Sequence, residues 1–229
     1  MRIGASIAVL VLGLALISGC GPSQNPFVVG IDLYHGQTWP GLPGELESMG
    51  FKHVVFDQPP DFDNLQNLGV LIICTKGAET TRGFTEEELD SIVRFVKRGG
   101  GLLCADQAWS WVIEAYGNKP LEDFPLNVLG ERLGFRILGT SVGAPRNLSS
   151  DMLGGISAVR RSDWWPSEIE FPGGEGRILI SDENGRPMAG TVDFGRGRVA
   201  VMGNMQILAE NPDIVRNLLI YLSGVEDLL

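Results

Sequence analysis

Cys104 is the first residue of this sequence that could do covalent chemistry, because it lies in a stretch that ends on a carboxylate, RGGGLLCADQAWSW (residues 98–111). A nucleophile at a strand end needs a sharp turn with small neighbours that exposes it to its substrate. Here two leucines precede the cysteine, and Asp106 stands where a second small residue is needed. The stretch therefore favours a buried thiol, and Cys74, in the run IICTKG, also lacks such a turn.

His35 is the second candidate for chemistry, since His53 begins a strand-like run. His35 follows an apolar run, and Asp32 lies three residues before it, which suits a general base or a metal ligand. A hydrolase or amidase that uses His35 with Asp106 or Cys104 is one interpretation. The other is that His35 bonds to the backbone and shapes its loop. We expect no metal and no cofactor, because a second suitable histidine and an H-E-x-x-H pair are lacking.

The elements that must position these residues follow from short apolar runs and helix signals. A capping box at Thr85 and Glu88 begins the clearest helix pattern, which ends before Gly99. Strand-like runs alternate with helix patterns, which predicts an α/β fold with a doubly wound, mostly parallel sheet. The runs are FVVGIDL (27–33), HVVF (53–56), GVLIIC (69–74) and GLLCA (101–105).

The C-terminal part has a different pattern. Three runs joined by glycine turns predict an antiparallel meander, and Pro212 begins an amphipathic final helix that ends before Gly224. A further helix is predicted within 121–133, and residues 140–176 carry no clear pattern. The meander runs are RILIS (177–181), PMAGTVDF (187–194) and RVAVMG (198–203).

Polar residues follow each predicted parallel strand, and ligands of open α/β sheets bind where such strands end. A tryptophan beside an amide and a carboxylate is typical of a sugar site, to which Trp39, Trp164 and Trp165 would add; the alternative is that the tryptophans pack the core. Asp57, Gln58, Thr75 and Lys76 also follow strands. The predicted ligand site consists of Asp32, His35, Gln37, Asp106, Gln107 and Trp109.

The N-terminus resembles a bacterial lipoprotein signal: one positive charge, an apolar run and small residues before Cys20. We expect residues 1–19 to be a signal peptide, Cys20 to be lipidated, 20–26 to be a tether and 27–229 to be one domain. Gly21 favours the outer membrane. The net charge of −10 argues against nucleic acid and against a polybasic grip on anionic lipid.

Three stretches together resemble the class I glutamine amidotransferase-like superfamily: GIDLYHGQ (30–37), FTEEELDSIVRFVKRGGGLLCADQAWSW (84–111) and GRVAVMGNMQIL (197–208) with the terminal helix. The resemblance points to its degenerate branch, which precedes gluzincin-type mucin peptidase modules and occurs in TRP-channel-associated factors, with ThuA-like relatives. It implies a flavodoxin-like sheet without amidotransferase chemistry.

The sequence therefore predicts a cell-envelope lipoprotein whose domain is a non-catalytic binding or scaffolding module for a glycan or an envelope protein. Besides the hydrolase, a purely structural envelope component remains an alternative.

Overall fold

The computed structural model describes residues 25–75, 82–113, 118–149, 152–160 and 165–225. The predicted signal peptide, Cys20, most of the tether, Lys76 and Trp164 lie outside the described residues. Within these ranges no helix is long and apolar enough to span a bilayer.

One half of the main sheet is parallel, as the apolar runs predicted. The eight strands lie in the order β2-β1-β3-β4-β10-β9-β8-β6, and the first five run in the same direction. These five are β1 (Asn25–Asp32), β2 (Lys52–Phe56), β3 (Leu68–Cys74), β4 (Gly101–Ala105) and β10 (Gly197–Met202). The order β2-β1-β3-β4 confirms the flavodoxin-like, doubly wound fold.

The other half is the antiparallel meander. Strand β9 pairs with β10, β8 with β9 and β6 with β8, while β5 and β7 form a separate two-stranded sheet. Glycines with positive φ, Gly185 at 76° and Gly195 at 65°, make the two tight connections of the meander. The bounds are β5 (Arg136–Ser141), β6 (Asn147–Leu148), β7 (Ser167–Glu170), β8 (Arg177–Ser181) and β9 (Pro187–Phe194).

Helices cover both faces of the main sheet. One face packs against α1 (Leu42–Ser48), α6 (Met205–Glu210) and α7 (Pro212–Ser223). The other packs against α2 (Phe62–Leu65), α3 (Glu86–Lys97), α4 (Trp109–Val112) and α5 (Pro125–Leu133), with a 3₁₀ turn at Leu121–Asp123 before α5. The apolar strands β3 and β4 are therefore buried on both sides.

Local signals explain where these elements begin and end. The Thr85 side chain accepts a hydrogen bond from the Glu88 backbone, and the Glu88 carboxylate accepts one from the Thr85 backbone, so the predicted capping box begins α3. Glycines in the left-handed region, Gly134 and Gly224, end α5 and α7. The run HVVF differs from the other strand runs: it forms the edge strand β2, where Val54 and Val55 are each 43% exposed.

Candidate functional site

A cleft of about 160 Å³ opens where four parallel strands end. Its lining comes from the residues that follow β1, β3, β4 and β10, which brings Gln37, Asp106 and Gln107 of the predicted site together. Amides, hydroxyls and one carboxyl dominate the lining. The cleft residues are Gln37, Thr75, Asp106, Gln107, Ser110, Asn204, Met205 and Gln206.

Asp106 is the one acidic group in the cleft lining. Its side chain is buried, and it accepts hydrogen bonds from the Thr75 hydroxyl and, at 2.6 Å, from the Gln107 backbone N–H. Burial raises the pKa of Asp106 to about 6, and the two hydrogen bonds act in the opposite direction. Near that pH the carboxyl group can either donate a hydrogen bond or accept one.

Gln37 reaches the cleft because the loop after β1 lies directly on the end of β3. The Gln37 backbone N–H donates to the Cys74 carbonyl at 2.8 Å. At Gly36, a β-carbon would stand only 2.1 Å from the same carbonyl oxygen. Only glycine permits this approach, so Gly36 determines where Gln37 lies.

Asn204 is a cleft residue that the sequence analysis missed. It is 1% exposed, and its Oδ1 accepts the Gln206 backbone N–H at 2.7 Å, which caps α6. Its Nδ2 has no hydrogen-bond partner within the described parts of the chain. A buried amide without a partner is costly, so Asn204 offers a ready donor to a ligand.

Asp32 and His35 form a second polar cluster that does not line the cleft. The His35 Nδ1 lies 2.6 Å from the Asp32 Oδ2, while the Asp32 Oδ1 accepts the backbone N–H groups of Tyr34 and His35. Both side chains are fully buried. The cluster fixes the loop after β1.

The other side of the His35 ring faces the beginning of α3. Its Nε2 is 3.5 Å from the Glu88 Oε2, without hydrogen-bond geometry, and the ring packs against Phe84 with centroids 4.1 Å apart. Burial opposes ionisation of Glu88, but hydrogen bonds from Thr85 and attraction to His35 lower its pKa. His35 thus joins two elements.

Trp109 lies beside the cleft and does not line it. Its indole Nε1 donates to the Trp165 carbonyl at 2.6 Å, and its backbone N–H donates to the Ser167 hydroxyl at 3.1 Å. The Ser167 backbone N–H in turn donates to the Gly203 carbonyl, next to Asn204. This network holds Trp165, which is 63% exposed, near the cleft.

The two strand cysteines are free thiols in the interior. Cys104 is 0% and Cys74 is 1% exposed, and their side chains belong to the cores on opposite faces of the sheet. Burial raises the pKa of both thiols, and neither residue lines the cleft. This environment keeps the sulfur protonated and unreactive.

The remaining candidates lie apart from the cleft. Asp57 and Gln58 are exposed after β2, and Trp39 is buried, with its indole donating to Glu45. Trp111 is a core residue whose indole donates to the Pro120 carbonyl. In the parts of the chain that the structure describes, no group of three or more His, Cys, Asp and Glu residues could hold a metal ion.

Comparison with known proteins supports the relationship that the sequence motifs indicated. Residues 80–149 match the family model TCAF_N, described as "TRPM8, N-terminal domain". The TRPM8 channel-associated factor 1 of Pongo abelii is 29% identical over 144 residues, which are 53% of this chain and 16% of that protein. The chain thus spans about a sixth of this relative.

Solved structures share the fold. The N-terminal domain of mmIFT52 superimposes with a TM-score of 0.62 and 15% identity, covering 86% of this chain and 97% of that domain. A putative ThuA-like protein from Parabacteroides merdae gives a TM-score of 0.53 and 13% identity, covering 87% of this chain and 91% of that one. At these identities the likeness concerns the fold alone.

Proposed function

We propose that this protein is a lipid-anchored module of the bacterial cell envelope that binds a ligand in the strand-end cleft without covalent chemistry. The cleft with the unpartnered Asn204 amide is the observation on which the proposal depends. Anchoring is supported by the small residues that precede Cys20 and by the apolar run before them.

The absence of catalysis is supported by the environment of the candidate groups. Cys104 is buried in β4 with a raised pKa, and His35 is enclosed between Asp32 and Glu88. Neither residue lines the cleft. A cysteine hydrolase needs an exposed thiolate and a base within reach of it. The arrangement offers neither.

A glycan is the ligand class that the cleft chemistry suits best. The lining presents four side-chain amides and two hydroxyls, which match the paired donors and acceptors of sugar hydroxyls. Trp165 is exposed and its carbonyl is bonded to Trp109, and an exposed indole is a surface on which a sugar ring can stack. A protein ligand remains the second choice, since the amides bond equally well to a peptide backbone.

Isothermal titration of the purified full chain with a panel of neutral and acidic saccharides tests the glycan proposal. Asn204→Asp keeps the Oδ1 cap on Gln206 but replaces the Nδ2 donor with an acceptor, so we expect binding at least about tenfold weaker, equivalent to about 1.4 kcal/mol. The matched control is Gln66→Ala, an amide truncation at α2. Equal effects of both variants, or no saccharide binding, would contradict the proposal.

Thiol labelling of the native protein separates binding from catalysis. We expect Cys104 and Cys74 to react with a maleimide only after unfolding, because both are enclosed in the core. Selective modification of native Cys104, together with hydrolysis that is lost in Cys104→Ser, would favour the hydrolase. Crosslinking in intact cells to one envelope protein, without saccharide binding, would favour the structural role.

A further inference from the structure

The chain enters the domain at the amino end of the parallel sheet. Strand β1 begins at Asn25, level with Leu68, the first residue of β3, and about three residues before β2, since Val28 lies beside Lys52. The cleft lies at the opposite, carboxyl ends of the same strands. Whatever precedes Asn25 is therefore attached to the end that faces away from the cleft.

The distance from this end to the membrane is short if Cys20 is lipidated, and on that point the inference rests on the proposed function. Asn25 lies five residues after Cys20, so five Cα–Cα steps join the two. At 3.3–3.6 Å per residue, they span at most about 18 Å even when fully extended. The amino end of the sheet must then lie close to the lipid headgroups.

This end also collects exposed cations. Lys97 and Arg98 end α3, Arg94 lies one turn earlier, and Arg196 lies in the β9–β10 connection, where its side chain donates to the Arg98 carbonyl at 2.9 Å. Lys52 begins β2. We call these five residues, Lys52, Arg94, Lys97, Arg98 and Arg196, the basic end.

None of the five forms an ion pair with a carboxylate within the described ranges. Elsewhere in the described part of the chain, three arginines are ion-paired: Arg132 bonds Glu86 and Asp90, Arg136 bonds Glu122, and Arg186 bonds Asp182. Cations that are exposed and not neutralised by the protein remain available to an anionic partner.

Carboxylates at this end reduce its charge, and those among the described residues include Glu47 before β2, Asp61 and Asp63 at α2, and Asp193 beside the β9–β10 connection. Asp61 caps α2 by accepting the Asn64 backbone N–H, and Asp63 accepts the Gln66 amide at 3.5 Å. Between them, Phe62 packs under the guanidinium groups of Arg94 and Arg98 at 4.0 and 5.2 Å. The five cations are gathered at one end of a chain whose net charge is −10.

We propose that the basic end is the surface that contacts anionic phospholipid headgroups, so that the cleft opens away from the membrane. Each exposed Lys or Arg near an anionic bilayer strengthens binding about fivefold. The net charge argued against a polybasic contact, but it describes the sum of the charges and not their distribution. The acidic remainder of the surface is repelled by the same membrane, which adds to the orientation.

Fluorophores at the two ends of one strand test this orientation. Lys52→Cys places a label at the first residue of β2 and Gln58→Cys places one after its last, both at exposed positions. The lipidated protein is reconstituted into vesicles of phosphatidylethanolamine and phosphatidylglycerol that contain a headgroup nitroxide quencher. We expect fluorescence to be lost at position 52 and retained at position 58. Equal losses, or the reverse order, would overturn the proposal.

Charge dependence is the second arm of the test. Replacing phosphatidylglycerol with phosphatidylcholine, or introducing Lys97→Glu with Arg196→Glu, should restore fluorescence at position 52. Arg146→Glu is the matched control, because Arg146 is exposed near the carboxyl end of β8. Quenching at position 52 that persists in neutral vesicles would also overturn the headgroup contact.

Failure of the anchor is distinguishable from failure of the orientation. Mass spectrometry of the wild type and of Cys20→Ser reports whether the lipid is present. Without the lipid, the anchoring and this proposal fail together, whereas saccharide binding in the cleft is unaffected. If the lipid is present and the labels at positions 52 and 58 are quenched equally, only the proposed orientation is contradicted.

Discussion

Asp106 is the cleft side chain whose pKa is shifted by its surroundings. Its position after β4 was predictable, because a polar residue that ends a buried run lies at the strand terminus. Its burial and its bond with Thr75 were not, since they depend on β3 and β4 being neighbours. The sequence identifies which residue follows a strand. The order of the strands in the sheet decides which side chains that residue contacts.

Asn204 and His35 show this limit of the sequence in two ways: Asn204 lines the cleft but was not predicted, and His35 was predicted but does not line it. Asn204 follows β10, which the sequence placed in an antiparallel meander, so Asn204 was not counted among the residues that follow parallel strands. In the structure β10 also pairs in parallel with β4. This long-range pairing has no signature in the local sequence. His35 was counted, but the close approach of Gly36 to β3 leaves it in the interior with Asp32 and Glu88.

The raised pKa of Asp106 makes a prediction about stability and pH. A carboxyl group that binds its proton more tightly in the folded state stabilises the fold fully below about pH 3.8, and this contribution is lost as pH rises through about 6. The Asp106→Asn variant does not lose stability in this way, because the asparagine amide does not ionise. We expect the variant to gain up to about 3 kcal/mol in unfolding free energy relative to wild type between pH 4 and 7, with no further gain above.

Urea unfolding of both proteins from pH 4 to pH 8 measures this difference. Asp57→Asn is the matched control, because Asp57 is an exposed carboxylate that follows the parallel strand β2. A stability difference for Asp106→Asn that does not change with pH would show that the carboxyl group is already solvated in the folded protein.

Strands and helices with strong local signals were predictable from the sequence. Strands β3 and β4 are continuous apolar runs, and α3 has a capping box, so each element is specified by its own residues. The β5–β7 pair was not predictable as a separate sheet, because it places Arg136 opposite Glu170 and so joins segments that are distant in sequence. The position of the loop after β1 was also not predictable, because the need for glycine at position 36 comes from the contact of this loop with β3.

Gly36→Ala tests whether that contact positions the loop. The added β-carbon would lie 2.1 Å from the Cys74 carbonyl oxygen, so the loop must move away from β3. We expect a loss of about 1–3 kcal/mol in unfolding free energy, which is typical of overpacking, and weaker saccharide binding because Gln37 moves with the loop. Urea denaturation and titration measure the two effects.

Gly44→Ala is the matched control for that substitution. Gly44 lies in α1, and a β-carbon there meets nothing within 4 Å. Alanine should stabilise this helix by about 0.5–1 kcal/mol, since glycine is a poor helix former. Equal effects of the two substitutions on unfolding free energy and on saccharide binding would mean that the loop after β1 can move without cost and does not position Gln37.

Both cores pack against the same eight-stranded sheet, and this couples them. Successive residues of β3 point to opposite faces: Ile72 packs with α1 and α7, while Ile73 packs with α3. Neither core can lose its packing without disturbing the backbone that carries the other. The cleft depends on the same sheet, because its residues come from four of the strands.

Cooperative unfolding of the two described cores is the prediction that follows from this shared sheet, and two tryptophans report on it separately. Trp39 belongs to the core that packs against α1 and α7, and Trp111 belongs to the core that packs against α3 and α5. In protein labelled with fluorotryptophan, we expect both native ¹⁹F signals to disappear at the same urea concentration, as two-state unfolding requires. Trp39→Phe and Trp111→Phe assign the signals. Two distinct midpoints would mean that one layer of helices can detach while the sheet persists, and the cleft would then depend on only one of the two cores.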